Sequence, residues 1–115
     1  MGPPVKLRSV IISNATKRVV IVAGCQGAPK LLEPRSSATV ASCEDADGTI
    51  EYQLTDPQTK DYEEVYFSAE ALRDAKLIDG TPKVDLLTAT KRQLPGPSAY
   101  PQYETHVLDK LRKAQ

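Results

Sequence analysis

The chain is poor in the residues that several functional classes need. Its 115 residues include no Trp, one Phe, one His and two Cys, and its 15 acidic and 15 basic residues give zero net charge. Zero net charge argues against a large electrostatic grip on nucleic acid, and few aromatic rings argue against a base-stacking surface. One His and two Cys also argue against a tetrahedral zinc site, which needs four ligands.

No pattern for catalysis or cofactor binding is found. The sequence has neither the GxGxxG nor the GxxxxGK[ST] phosphate-binding pattern. Cys25 lies in a glycine-rich bend, but the only histidine, His106, falls in the C-terminal segment, so nothing nearby supplies the base that a catalytic thiol needs. Asp45 and Asp47 fit the middle of a calcium loop whose terminal carboxylates are missing, so a hairpin turn is favoured. We therefore expect no enzyme, no cofactor and no metal.

The two cysteines are too sparse for a disulfide scaffold. For Cys25 and Cys43 we predict two reduced thiols in an intracellular, cytoplasmic protein. A bridge between them is left open, because both could end neighbouring strands. The start of the chain lacks the pattern of a signal peptide, and the longest apolar run is too short to span a bilayer. Asn14-Ala15-Thr16 matches a glycosylation sequon, which is interpreted as a chance match.

The first two thirds of the chain predict short strands. Apolar and polar residues alternate over Val5–Val10, and the β-branched run Arg18–Ala23 predicts a central strand covered on both sides, paired with the first in a hairpin. Further strands are predicted near residues 38–43, 49–55 and 64–67, with Asp47–Gly48 as a tight turn. The sequence therefore favours a mainly β fold, a small antiparallel β-sandwich-like domain.

A short helix is predicted after these strands. Ser68 is the expected N-cap and Gly80 the expected stop, and residues 83–90 are a candidate sixth strand. Earlier in the chain, residues 31–37 are predicted to be a connection that leads into the strand near residues 38–43.

The last third of the chain is different, because prolines punctuate it and an amphipathic helix follows. Prolines favour an extended course, and tyrosines are frequent anchors at interfaces. We therefore predict a β-rich domain over residues 1–90 and a Pro-rich arm ending in a helix over residues 91–115. The residues expected to bind a partner are Pro95, Pro97, Tyr100, Pro101, Tyr103, Val107, Leu108 and Leu111.

Two stretches resemble known families. Residues 95–100, PGPSAY, resemble the PGPxxY element that repeat proteins associated with ciliary microtubules carry many times and this chain carries once. The stretch from Gly48 to Phe67 is similar to the middle of aegerolysins, small β-sandwich lipid binders that are rich in Trp, which this chain lacks. The resemblances imply two alternatives, a cilium- or microtubule-associated protein and a lipid- or membrane-surface-binding sandwich.

The hypothesis that fits these observations best is a non-enzymatic structural or interaction subunit of a larger assembly. Its partner is expected to be protein, reached through the C-terminal arm. Nucleic acid and membrane are not expected as partners, and a homo-oligomer is left open.

Overall fold

The computed structural model describes residues 6–92 and 107–115. Strands hold 47% of these residues, which confirms the mainly β class. They form one curled sheet, accompanied by two short helices. The strands are β1 (Lys6–Ser13), β2 (Val20–Ala23), β3 (Lys30–Leu32), β4 (Ser37–Glu44), β5 (Ile50–Thr55), β6 (Tyr62–Phe67), β7 (Lys76–Ile78), β8 (Thr81–Asp85) and β9 (Thr90–Lys91). The helices are α1 (Ala69–Arg73) and α2 (Val107–Lys113), and a 3-10 turn covers Leu86–Thr88.

The sheet has two halves that meet at one hairpin. In the first half β4, β1, β8 and β7 are neighbours, and in the second β3, β2, β5, β6 and β9 are neighbours. The strands β4 and β5 are joined by the single register pair Glu44–Ile50, so the halves separate beyond it. The pairs are antiparallel except for β1 with β8, which run parallel. The strands therefore form one continuous curled sheet.

A single core fills the inside of this curl. Alternate residues of the strands point inward, as Val10 and Ile12 do in β1 and Tyr52 and Leu54 do in β5. The rings of Tyr52 and Phe67 meet edge to face, with centroids 5.9 Å apart. Side chains from both halves of the sheet and from both helices belong to this core.

The predicted β1–β2 hairpin is wrong, because the chain crosses from one half of the sheet to the other between these strands. Asn14 organises the crossing: its fully buried Nδ2 donates to the carbonyl oxygens of Arg18 at 2.8 Å and Leu32 at 3.1 Å, and its Oδ1 accepts from the Thr16 hydroxyl at 2.6 Å. β1 therefore pairs with β4 and β8, and β2 with β3 and β5. β2 is also covered on one side only, since Ile21 is half-buried.

Some turns of the structure were predicted from the sequence, and others were not. Asp47–Gly48 forms the predicted tight turn, in which Gly48 adopts a positive φ of 79° and Asp45 Oδ1 accepts from the backbone of Asp47 at 2.9 Å. The helix predicted to reach Gly80 instead ends at Arg73, after the confirmed Ser68 N-cap. Asp79 and Gly80, with φ of 49° and 80°, then form a hairpin turn between β7 and β8.

Candidate functional site

Helix α2 lies in the core of its own domain. Val107 and Leu111 are 2% exposed and Leu108 is fully buried. The prediction that these three side chains contact a partner is therefore corrected: they pack against β5, β6 and the 3-10 turn. The sequence could not distinguish the two arrangements, because an amphipathic helix needs an apolar neighbour but does not specify which.

Charged groups hold α2 against the sheet around these apolar contacts. The buried carboxylate of Glu63, an inward-facing residue of β6, accepts a hydrogen bond from the backbone N–H of Leu108. Lys91 of β9 donates to Asp109, and Lys110 donates to Asp61 at 3.1 Å. A negative carboxylate at the start of a helix and cations near its end both complement the helix dipole. No sequence pattern indicates the role of Glu63, which depends on a contact between residues 45 positions apart.

The described residues on the two sides of segment 93–106 are bound beside each other on β6. The backbone N–H of Arg92 donates to the carbonyl oxygen of Glu64 at 2.9 Å, and the next residue along β6, Glu63, binds the N–H of Leu108. The other predicted partner-binding residues lie outside the described ranges, and they are Pro95, Pro97, Tyr100, Pro101 and Tyr103. The connection from Arg92 to Val107 is therefore held at both ends rather than at one.

An open groove adjoins the point where Arg92 leaves the sheet. Its volume is about 460 Å³, and an ion pair between Arg92 and Glu51 lies in its wall. The lining residues are Thr49, Glu51, Tyr66, Thr90, Lys91 and Arg92. Such a set can offer hydrogen bonds to a polar chain.

The outer surface of the second half-sheet carries an apolar row that sequence reasoning missed. Direct cross-strand pairs join Leu31 to Ile21, Ile21 to Thr55, and Thr55 to Tyr62. Leu31 is 56% exposed and Tyr62 is 52% exposed. Because directly paired residues share a face, the four side chains form one row across β3, β2, β5 and β6. The alternation within each strand contained this signal, but only the pairing of the strands aligns it.

The two cysteines are joined, which overturns the prediction of reduced thiols. Cys25 and Cys43 form a disulfide with their Cα atoms 5.7 Å apart, within the usual range for such a bridge. It ties the bend after β2 to β4 across the opening between the halves of the sheet. Gly24 permits this approach, because a Cβ at that position would collide with the carbonyl oxygen of Ala41. In this state neither sulfur is a nucleophile.

The remaining polar motifs have structural roles. The side-chain nitrogen of Asn14 is buried and already donates to backbone carbonyls, so a glycan at this sequon is incompatible with the fold. Within residues 6–92 and 107–115, no group of three or more His, Cys, Asp or Glu side chains could hold a metal ion. In the same ranges no helix has the length and apolar character needed to cross a membrane.

Tyr52 carries a buried polar group between the halves of the sheet. Its hydroxyl lies 2.7 Å from the hydroxyl of Ser42, which in turn donates to the carbonyl oxygen of Val40 at 3.0 Å. Burial disfavours the charged tyrosinate and raises the pKa of Tyr52 to about 12, against smaller lowering effects of the Ser42 hydrogen bond and of the charge on Arg8. The group is therefore neutral at physiological pH and acts as a hydrogen-bonded core residue.

The fold and these surfaces define a mainly β protein. Comparison with known proteins adds no relative, because no family model, curated protein or solved structure matches the chain significantly.

Proposed function

We propose that the protein is a non-enzymatic structural or interaction subunit, which presents the segment between Arg92 and Val107 to a protein partner. The observation that supports this is the anchoring of both flanks on the neighbouring β6 residues Glu63 and Glu64. A segment held at both ends samples fewer conformations before binding than a free tail does, so docking costs less ordering entropy. The residues proposed to contact the partner are Pro95, Pro97, Tyr100, Pro101 and Tyr103.

In this proposal α2 is the anchor of the segment and not the part that touches the partner. Its apolar side chains are used inside the domain, and its charged groups bind β6 and β9. We also propose that the two halves of the sheet face each other as a small sandwich, since inward side chains of both halves share one core. The cytoplasmic location was predicted from two reduced thiols. The disulfide between Cys25 and Cys43 instead favours an oxidising compartment.

Replacing residues 93–106 by a Gly/Ser linker of equal length tests the proposal, because α2 then stays in the chain. Cross-linking with mass spectrometry in the native extract identifies the partner of the unmodified protein. We expect the replaced variant to lose that partner while its unfolding midpoint in urea changes little. Tyr100→Ala with Tyr103→Ala should weaken the same complex. A partner retained at full strength by both variants would show that the segment is not the binding element.

The two alternatives need their own controls. Lipid-surface binding is favoured by the exposed row that contains Leu31 and Tyr62, and pelleting with anionic liposomes tests it. Microtubule association is favoured by the single PGPSAY element, and co-pelleting with polymerised tubulin tests it. If the protein is a protein-binding subunit as proposed, it stays in the supernatant when anionic liposomes are pelleted.

A further inference from the structure

Strand β7 forms an edge of the sheet, because it pairs with β8 on one side only. All of its residues, Lys76, Leu77 and Ile78, are exposed. Leu77 is 59% exposed although it lies directly opposite the buried Pro82, on the face of the sheet that carries the core. The rim of the core is therefore open at this edge.

The backbone of Leu77 also points toward the open edge. In an antiparallel ladder, pairs that exchange two N–H···O bonds alternate with pairs that exchange none. Pro82 has no N–H, so its pair with Leu77 is of the second kind. The two-residue turn at Asp79–Gly80 agrees, because the hydrogen-bonded pair adjoins such a turn and the Leu77 pair comes one step later. Leu77 thus directs its N–H and C=O away from β8, and in the described part of the chain neither group has another backbone partner.

Strand β3, at the opposite end of the sheet, differs from β7 in its prolines. It lies between Pro29 and Pro34, and prolines at an edge discourage the addition of a further strand. At the β7 edge the proline stands in β8 instead, where it leaves the outward donor and acceptor of Leu77 intact. The β7 edge is therefore the better template for another strand.

We propose that the β7 edge pairs with the β7 edge of a second copy of the chain, so that the two sheets become continuous. The strands would run antiparallel about a two-fold axis that passes through the Leu77 pair, perpendicular to the sheet. The N–H of Leu77 then donates to the C=O of Leu77 of the other copy, and the reverse bond forms by symmetry. Both Leu77 side chains lie on one face and cover each other at the open rim. An edge that satisfies its own copy in this way favours an isologous dimer over an unrelated strand.

Charge and backbone conformation select this register. Lys76 lies directly opposite Lys83 in its own hairpin, so a dimer centred on Lys76 would bring the two lysines of each copy into one row, which like charges disfavour. With the axis at Leu77, Lys76 instead faces Ile78 of the other copy, which can cover its aliphatic stem. A dimer centred on Ile78 would pair Leu77 with Asp79, whose φ of 49° does not continue a strand.

Sedimentation velocity of the purified full chain, from about 10 µM to about 1 mM, tests the proposal. Unmodified protein should shift from monomer toward dimer in this range. The dimer is expected to be weak, because so short a strand covers less than the roughly 800 Å² per partner of stable complexes.

Two substitutions at Ile78 have opposite expected effects. Ile78→Glu places a carboxylate opposite Lys76 of the other copy, twice in each dimer, and should tighten the dimer about 3-fold to 10-fold. Ile78→Lys places a cation there and should weaken the dimer by a similar factor. Thr39→Glu and Thr39→Lys are the matched controls: they make the same charge changes at an exposed position on β4, and they should leave the dimer unchanged.

The backbone of Leu77 gives a second test. Leu77→Pro removes an N–H that the β7–β8 ladder does not use, so the variant should remain folded in thermal melting and stay monomeric. In the unmodified chain, the Leu77 amide should exchange its hydrogen more slowly in concentrated than in dilute samples, because the N–H is free in the monomer and bonded in the dimer. This measurement does not depend on the folding of any variant.

Three results would overturn the proposal: a monomer throughout the range, equal dimer affinities for the two Ile78 variants, or a dimer that leaves the exchange of the Leu77 amide unchanged. A folded Leu77→Pro variant that dimerises like the unmodified chain would exclude pairing through this edge. Each outcome leaves the role of residues 93–106 untouched, because the experiment contains no other protein.

Discussion

The opening between β4 and β5 and the C-terminal helix α2 are both places where separate parts of the chain are held together, but by different chemistry. At the β4–β5 opening the contacts are the Cys25–Cys43 disulfide and the hydrogen bond between the hydroxyls of Ser42 and Tyr52. Around α2 they are three buried apolar side chains and a ring of charged groups. The first region should therefore respond to reductant and alkaline pH, and the second to truncation of apolar groups and to salt.

The largest effect is expected from Leu108, a fully buried residue of α2. Leu108→Ala should lower the free energy of unfolding by about 2–5 kcal/mol, because it removes packed methyl groups and leaves a cavity. Lys113→Ala, at the exposed end of the same helix, should change it by less than about 0.5 kcal/mol. Urea unfolding of both variants measures the difference. Equal free energies of unfolding for the two variants would mean that α2 is not part of the core. The first prediction, that α2 binds a partner, would then be favoured again.

The disulfide should give the next largest effect. It closes a loop across 18 residues, for which chain entropy gives about 3 kcal/mol of stabilisation. Reduction should lower the urea midpoint accordingly, and Cys25→Ala with Cys43→Ala should reproduce the reduced value. The double variant should then be indifferent to reductant. If reductant lowered the urea midpoint of the double variant by the same amount, the reductant would be acting on a part of the protein other than this disulfide.

Much of the sheet was predictable from the sequence, since alternation and turn residues located β1, β2, β4, β5 and β6. The strand neighbours were not predictable, because they depend on contacts between distant residues. Asn14 shows the reason: its side chain binds carbonyls on both β3 and the following turn, and that fixes where the chain crosses. The short edge strands β3 and β7 were missed because three residues are too few to show a period.

The candidate surfaces were less predictable still. The apolar face of α2 was visible as a pattern, but its neighbour was not, because the partner of an amphipathic face is chosen by the tertiary fold. The outer row of Leu31, Ile21, Thr55 and Tyr62 exists only once the register of four strands is known. The disulfide likewise required the approach of Gly24 to Ala41, which no local pattern reveals.

Alkaline pH should affect the β4–β5 region through Tyr52. Its pKa is raised to about 12 from an ordinary value of 10.0, so the folded state holds the proton more tightly than the unfolded state does. The corresponding stability is fully present below pH 10 and is lost as the pH rises toward 12. The loss should approach about 2–3 kcal/mol. Tyr52→Phe should flatten this part of the pH profile measured by thermal melting, and an unchanged profile would assign it to other groups.

The smallest effect is expected from the exposed ion pair between Lys110 and Asp61 beside α2. The side chains are 35% and 46% exposed, and solvent screens such pairs so that they contribute about 0–1 kcal/mol. Lys110→Met keeps the apolar stem and removes the charge, so it should cost less than about 0.5 kcal/mol at low salt. Lys113→Met is the matched control, because it also removes a cation from the last turn but forms no ion pair among the described residues. The difference between the two variants should disappear in about 1 M salt, where charges are screened beyond about 3 Å. A larger difference that persists in high salt would mean that the charged ring, and not only the buried leucines, holds α2 on the sheet.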